Sequence, residues 1–154
     1  MKFSTSGDIH RLFLKEDKGT MITRNNVRRI CLQNGIKHLM TRNVILIDAE
    51  EFISKINPYK IKEHIYTIPR LRCIKACAKE WNQHRRKGER SIHPDEIREF
   101  LKNDNTVFKY KFGNRWIINY DQLEPHLRKI SKTKSPYCFD LFRIITKNKS
   151  RKRK

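Results

Sequence analysis

Two stretches of this chain, residues 21–56 and 91–130, are written on one plan. A shift of 70 positions lays Ile22 on Ile92, Val27 on Ile97, Arg28 on Arg98, Ile30 on Phe100 and Cys31 on Leu101. A shift of 71 then lays Ile36 on Val107, Ile45 on Trp116, Ile47 on Ile118, Asp48 on Asn119, Phe52 on Leu123 and Ile56 on Leu127. One residue inserted in a turn reconciles the two shifts. Few residues are identical, yet apolar positions and caps keep their register, which is the mark of a duplication. Whatever one stretch folds into, the other must fold into as well.

Each copy opens with a helix: Val27, Ile30 and Cys31 in one, Ile97, Phe100 and Leu101 in the other, at i, i+3, i+4 spacing. Thr23 suits an N-cap, and Pro94 sits where a first helical turn accepts proline. Asn34-Gly35 and Asp104-Asn105 end these helices. A hairpin follows, turning at Thr41-Arg42-Asn43 and at Gly113-Asn114, with β-rich runs over 44–47 and 116–118. A closing helix then begins with capping-box spacing, Asp48 with Glu51 and Asn119 with Gln122. An earlier helix is available to each copy. Residues 4–17 offer Ile9, Leu12 and Phe13, and 69–86 offer Leu71, Ile74, Ala78 and Trp81.

Two helices, a two-stranded wing and a closing helix compose a winged helix-turn-helix. The expected fold class is therefore α+β, mostly helical, with two tandem winged helix-turn-helix modules carrying short two-stranded wings. Module one spans 1–58, with a loose start over 1–7, and module two spans 70–135. Residues 59–69 join them as a short strand or an ordered linker. Residues 136–146 form a hydrophobic C-terminal segment that packs on module two or docks a partner. Residues 147–154, KNKSRKRK, form a disordered basic tail.

Lys and Arg number 36 against 16 acids, a net charge of +20. Such an excess implies a polyanionic partner, nucleic acid before a membrane surface. Cys31, Cys73, Cys77 and Cys138 are scattered, and no long apolar run or signal peptide is seen, so reduced thiols in an intracellular protein are expected. The basic tail places the protein in the nucleus of a eukaryote, or in the cytoplasm or nucleoid otherwise. No catalytic constellation, metal site or cofactor is implied: Cys73 and Cys77 share a helix face, but no CxxC or HxxxH spacing supports them.

With Val27, Ile30 and Cys31 turned inward, the first recognition helix presents Asn25, Arg29 and Leu32, flanked by Asn26, Arg28 and Gln33. Arg, Asn and Gln are the side chains that pair bidentately with base edges. Asn25, Asn26, Arg28, Arg29 and Gln33 are thus the expected base contacts. The second helix presents Asp95, Glu96 and Glu99, which repel phosphate, so this face is a candidate protein-binding surface together with Phe139 and Phe142. Backbone contacts are expected from Arg42, from the helix face Arg72, Lys75 and Lys79, and from the second wing, Lys109, Lys111 and Arg115.

The run FKYKFGNRWIINYDQLEPHL resembles the excisionase-like and MerR-type winged helix-turn-helix. Basic strand residues Lys109 and Lys111, the Gly113-Asn114 turn, the apolar strand 116–118, and Asn119, Leu123 and Leu127 carry the likeness. The first copy matches through Arg42-Asn43, residues 44–47, Asp48, Phe52 and Ile56. The resemblance implies architectural or regulatory binding of double-stranded DNA, recognition helix in the major groove and wing on the flanking backbone. Two other readings stay open: a chromatin- or replication-associated adaptor that uses its winged modules for protein contacts, and an RNA-binding protein.

Overall fold

In the computed structural model of the chain, residues 3–57, 60–62 and 65–133 are described. The first half runs β1 (Phe3–Thr5), α1 (Ser6–Glu16), α2 (Arg24–Gln33), β2 (His38–Met40), β3 (Ile45–Asp48) and α3 (Ala49–Ile56). A hairpin of β4 (Lys60–Lys62) and β5 (Ile65–Tyr66) follows. The second half repeats the order with β6 (Leu71–Arg72), α4 (Ile74–His84), α5 (Pro94–Asn103), β7 (Lys109–Phe112), β8 (Arg115–Asn119) and α6 (Tyr120–Ser131). The fold is α+β. Each half builds one three-stranded antiparallel sheet, ordered β1-β3-β2 and β6-β8-β7.

The duplication extends to individual hydrogen bonds. Asp48 N donates to Lys37 O at 2.9 Å, and Asn119 N to Phe108 O at 3.0 Å. Lys37 N donates to the Glu51 carboxylate at 3.0 Å, and Phe108 N to the Gln122 amide oxygen at 2.7 Å. Phe3 faces Asp48 across the first sheet as Leu71 faces Asn119 across the second. The capping boxes expected at Asp48 and Asn119 are therefore half formed. Each cap accepts its helix amide, from Glu51 N and Gln122 N, but the residue three later fastens the preceding hairpin instead of closing back on the cap. A tertiary donor displaces the local one because the hairpin amide has no other acceptor within its short ladder.

Other expectations shift. The start is ordered from Phe3 onward: β1 pairs with β3, and Thr5 caps α1 by accepting from Asp8 N. Thr23 caps α2 and Pro94 opens α5 as the spacing predicted. Gly35, at φ 61°, ends α2 in the left-handed region that favours glycine. Asp104 ends α5 differently, with extended backbone and a carboxylate that accepts from Thr106 N and Val107 N. Helix α4 starts at Ile74 rather than near residue 70, because Leu71 and Arg72 pair with β8 and Cys73 supplies the cap.

The cores are not confined to their halves. The first gathers Phe13, Ile22, Val27, Ile30, Ile47, Phe52 and Ile56, with Phe13 and Phe52 meeting edge to face, ring centroids 6.2 Å apart. It also takes in Leu71, Tyr110 and Ile117 from the second sheet. The second gathers Trp81, Ile92, Ile97, Leu101, Ile118, Leu123 and Leu127. Neighbouring residues of β8 thus enter different cores, Ile117 the first and Ile118 the second, as strand alternation requires. The second sheet is a shared layer between two cores.

A buried ion pair fastens the same joint. Arg72 donates to both oxygens of Asp17, at 2.5 and 2.9 Å, with side chains only 8% and 13% exposed. A Cβ on Gly19 would stand 3.0 Å from the Arg72 guanidinium, so glycine there admits the arginine. Burial pushes the Asp17 carboxyl up, but the hydrogen bond and charge of Arg72 and the Gly19 amide outweigh it and hold the group below its ordinary 3.8.

Candidate functional site

An open groove of about 680 Å³ lies in the first half. The start of α1 gives Thr5, Ser6 and His10, the first turns of α2 give Arg24, Asn25 and Arg28, and the β2–β3 turn gives Asn43 and Val44. No carboxylate lines it. Arg24 and Asn25 open α2, where amide N–H groups lack intrahelical acceptors and the helix dipole is positive. The Arg24 guanidinium lies over Gly7, 3.2 Å from where a Cβ would stand. Among the described residues no carboxylate pairs with Arg24, Arg28 or Arg29. Guanidinium, imidazole and amide donors therefore converge, uncompensated, on one cleft between a helix and a hairpin.

Four of the five expected base-contacting residues, Asn25, Arg28, Arg29 and Gln33, are exposed on α2. Asn26 is not: it is 4% exposed and belongs to the inner face. It stands four residues before Ile30, about 40° away around the helix, so the buried stripe includes it. Of the expected backbone contacts, Arg42, Lys75, Lys79, Lys111 and Arg115 are exposed. Arg72 is corrected: it is a buried strand residue spent on Asp17, not part of a helix face. Lys109 is corrected as well, since its ammonium donates to the Leu101 and Asp104 carbonyls at the end of α5. Lys111 lies 5.6 Å from the centre of the Trp116 ring, which it covers.

The equivalent end of α5 is built differently. Pro94 replaces Arg24, Asp95 replaces Asn25, and Asp95 binds the Arg98 guanidinium at 2.7 Å. Glu96, expected as a partner contact, is corrected: it is buried and accepts from Arg90 and from His93 N in a complete capping box. Asp95 and Glu99 remain on the surface, the latter 3.5 Å from Lys102. The second half neutralises further cations internally. Arg70 reaches Asp121, Glu124 and Glu80, and Arg128 reaches Glu89 and Glu124. Phe139 and Phe142 lie outside the described residues.

Three groups that sequence reasoning missed belong to the groove: His10, Arg24 and Asn43. Arg24 was legible, since it is the first residue after the Thr23 cap. His10 was not, because only the packing of α1 on α2 brings it there. Neither buried thiol suits nucleophilic work. Burial, then the Glu51 charge, raises Cys31 to about 11, and burial pushes Cys77 up too. Among the described residues no three His, Cys, Asp or Glu side chains are placed to hold a metal ion. No described helix is long and apolar enough to cross a membrane. No protein-family model, curated protein or solved structure matches the chain.

Proposed function

We propose that the chain is a non-enzymatic protein that binds double-stranded DNA, built as two tandem winged helix-turn-helix modules of which the first makes the principal contact. The acid-free groove between α2 and the β2–β3 hairpin carries this reading. A phosphate strand laid along it meets Arg24, Arg28 and Asn43 while Asn25, Arg29 and Gln33 face the adjoining base edges. Arg42 on the hairpin turn then flanks the backbone, the arrangement that the resemblance to excisionase-like and MerR-type modules implies. Lys75, Lys79, Lys111, Arg115 and the basic stretch 147–154 supply further phosphate contacts. The net charge of +20 supports a polyanion over a neutral ligand.

A salt titration of binding to duplex DNA tests this. With roughly six phosphates neutralised, log K falls against log salt with a slope of about −5. A slope shallower than about −2 overturns the electrostatic mode. Structured RNA outcompeting duplex at equal salt would point to RNA as the partner instead.

A further inference from the structure

The two sheets differ in what covers their outer faces. In the second, Tyr110 stands opposite Ile117, and Leu71 stands opposite Asn119, so Leu71, Tyr110 and Ile117 share a face. All three are buried in the first core. The end of α3 lies against that face, because Asn119 Nδ2 donates to Ile56 O at 2.9 Å. The equivalent residues of the first sheet are Phe3, Leu39 and Leu46, again on one face by register. Here nothing described covers them: Leu39 is 53% exposed, and Phe3 and Leu46 are half-buried. A face that is apolar at the same three positions in both copies is fully buried in one and left partly open, most of all at Leu39, in the other.

We propose that the C-terminal end of a second copy of this chain covers the partly open face, its residues 137–145 lying across Phe3, Leu39 and Leu46. In the covered case the occupant is the end of the preceding half, so a neighbour's end is its counterpart. Residues 137–145, YCFDLFRII, hold seven apolar side chains in nine, enough to replace what α3 contributes. Helix α6 alone cannot do so, because Glu124 stands where α3 has Ile53, and Glu124 is engaged with Arg70 and Arg128. Within one chain helix α6 belongs to the second core, with the shared sheet and the first core between it and that face, so the counterpart of α3 there is a neighbour's end. The contact is heterologous, head to tail, and leaves an open end at each side. Repulsion between chains of net charge +20 opposes it, so added salt strengthens it, the reverse of DNA binding.

Sedimentation velocity on the full chain in about 0.5 M salt, where the screening length is about 4 Å, tests the proposal without DNA. The expected result is association that rises with protein concentration. Leu39→Asp with Leu46→Asp spoils the face, and Phe139→Asp with Phe142→Asp spoils the segment. Each variant alone stays monomeric, with association weakened at least about 10-fold. Mixed in equal amounts they form a one-to-one complex and nothing larger, since each keeps one intact surface. Should the double face variant lose its circular dichroism, Leu39→Asp alone takes its place, because that side chain is already half exposed. A chain that stays monomeric at every concentration, association that survives either variant, or a mixture without a complex overturns the proposal.

Discussion

The first turns of α2 and α5 occupy equivalent places in the two halves and have opposite chemistry. Both follow a capped start, both bury the same apolar stripe, and both lead into a hairpin pinned by the same pair of hydrogen bonds. Yet α2 opens on Arg24, Asn25 and Arg28 with no acid, whereas α5 opens on Pro94, Asp95 and Glu96. The inside of a duplicated unit is held fixed by packing, where a lost methylene costs about 1 kcal/mol. The exposed first turn has no such restraint, so it is where one copy can keep a cationic groove while the other pairs its charges. Scaffold and surface have separated, and each can be perturbed without the other.

The largest effect concerns the joint that makes the two copies one body. Asp17→Ala leaves the Arg72 guanidinium buried with the Leu71 carbonyl and, among the described carboxylates, only Glu80, 3.8 Å away, as a partial substitute. The expected loss is about 3 kcal/mol of unfolding free energy in urea. Trp81 and Trp116, both in the second half, should report the same midpoint as circular dichroism of the whole chain, because the cores share a sheet. The pH dependence follows from the lowered Asp17 carboxyl. A depressed folded value means the contribution is fully present above the ordinary 3.8 and disappears as pH falls through the folded value. The gap between wild type and Asp17→Ala should therefore hold from about pH 7 to pH 5 and close only in stronger acid. A loss under about 1 kcal/mol, or separate midpoints, would break the picture of one cooperative pair.

Next comes the contrast in DNA binding. Arg28→Glu with Arg29→Glu should weaken duplex binding about 100-fold or more, at about 1–3 kcal/mol per arginine. Arg98→Glu, the counterpart of the first change, should cost less than about 3-fold, since Arg98 is already bound to Asp95. Equal losses in the two halves would deny the first module its leading role. Unchanged affinity in the α2 variant would favour the adaptor reading.

A smaller effect separates the copies by burial alone. Gln122 is 7% exposed and holds Phe108 N, whereas its counterpart Glu51 is exposed and holds Lys37 N. Gln122→Ala should destabilise by about 1–2 kcal/mol, because it orphans a half-buried amide. Glu51→Ala should cost about 0.5 kcal/mol, since water reaches Lys37. Thermal or urea unfolding of the two variants measures the difference, and a larger cost at Glu51 would reverse the argument.

The repeat was legible because it rests on apolar periodicity and caps, which are local: Thr23, Asp48 and Asn119 all cap the helices their spacing assigned. What escaped depends on partners far along the chain. Strand β6 has two residues, too few to show alternation, and only its pairing with β8 reveals that Arg72 leaves the helix. Lys109 carries the right charge for a phosphate, but the carbonyls ending α5 reach it first. Asn26 was misplaced by reading a polar side chain as an outward one, although its position near Ile30 on the helix assigned it to the core. On α2 the exposed set Asn25, Arg28, Arg29 and Gln33 was read from the sequence, while the groove that Asn25 and Arg28 line was not, because α1 supplies its other wall.

The smallest effect asks whether the second module can be given the chemistry of the first. Asp95→Asn with Glu99→Arg writes Asn25 and Arg29 onto their counterparts in α5. Both positions lie on the surface, so the fold should tolerate the change, although Arg98 loses its partner. The variant gains three positive charges. If α5 stands near the duplex when α2 is bound, some of that charge reaches phosphate, and affinity should rise about 3- to 10-fold. The salt slope should then steepen by about one, the signature of one further neutralised phosphate. A gain in affinity without any change in slope would mean long-range steering by the added charge rather than contact. Were both affinity and slope unaltered, α5 would face away from the duplex, and the acidic turn would be left as a surface for another protein, which sharpens the division of labour between the halves.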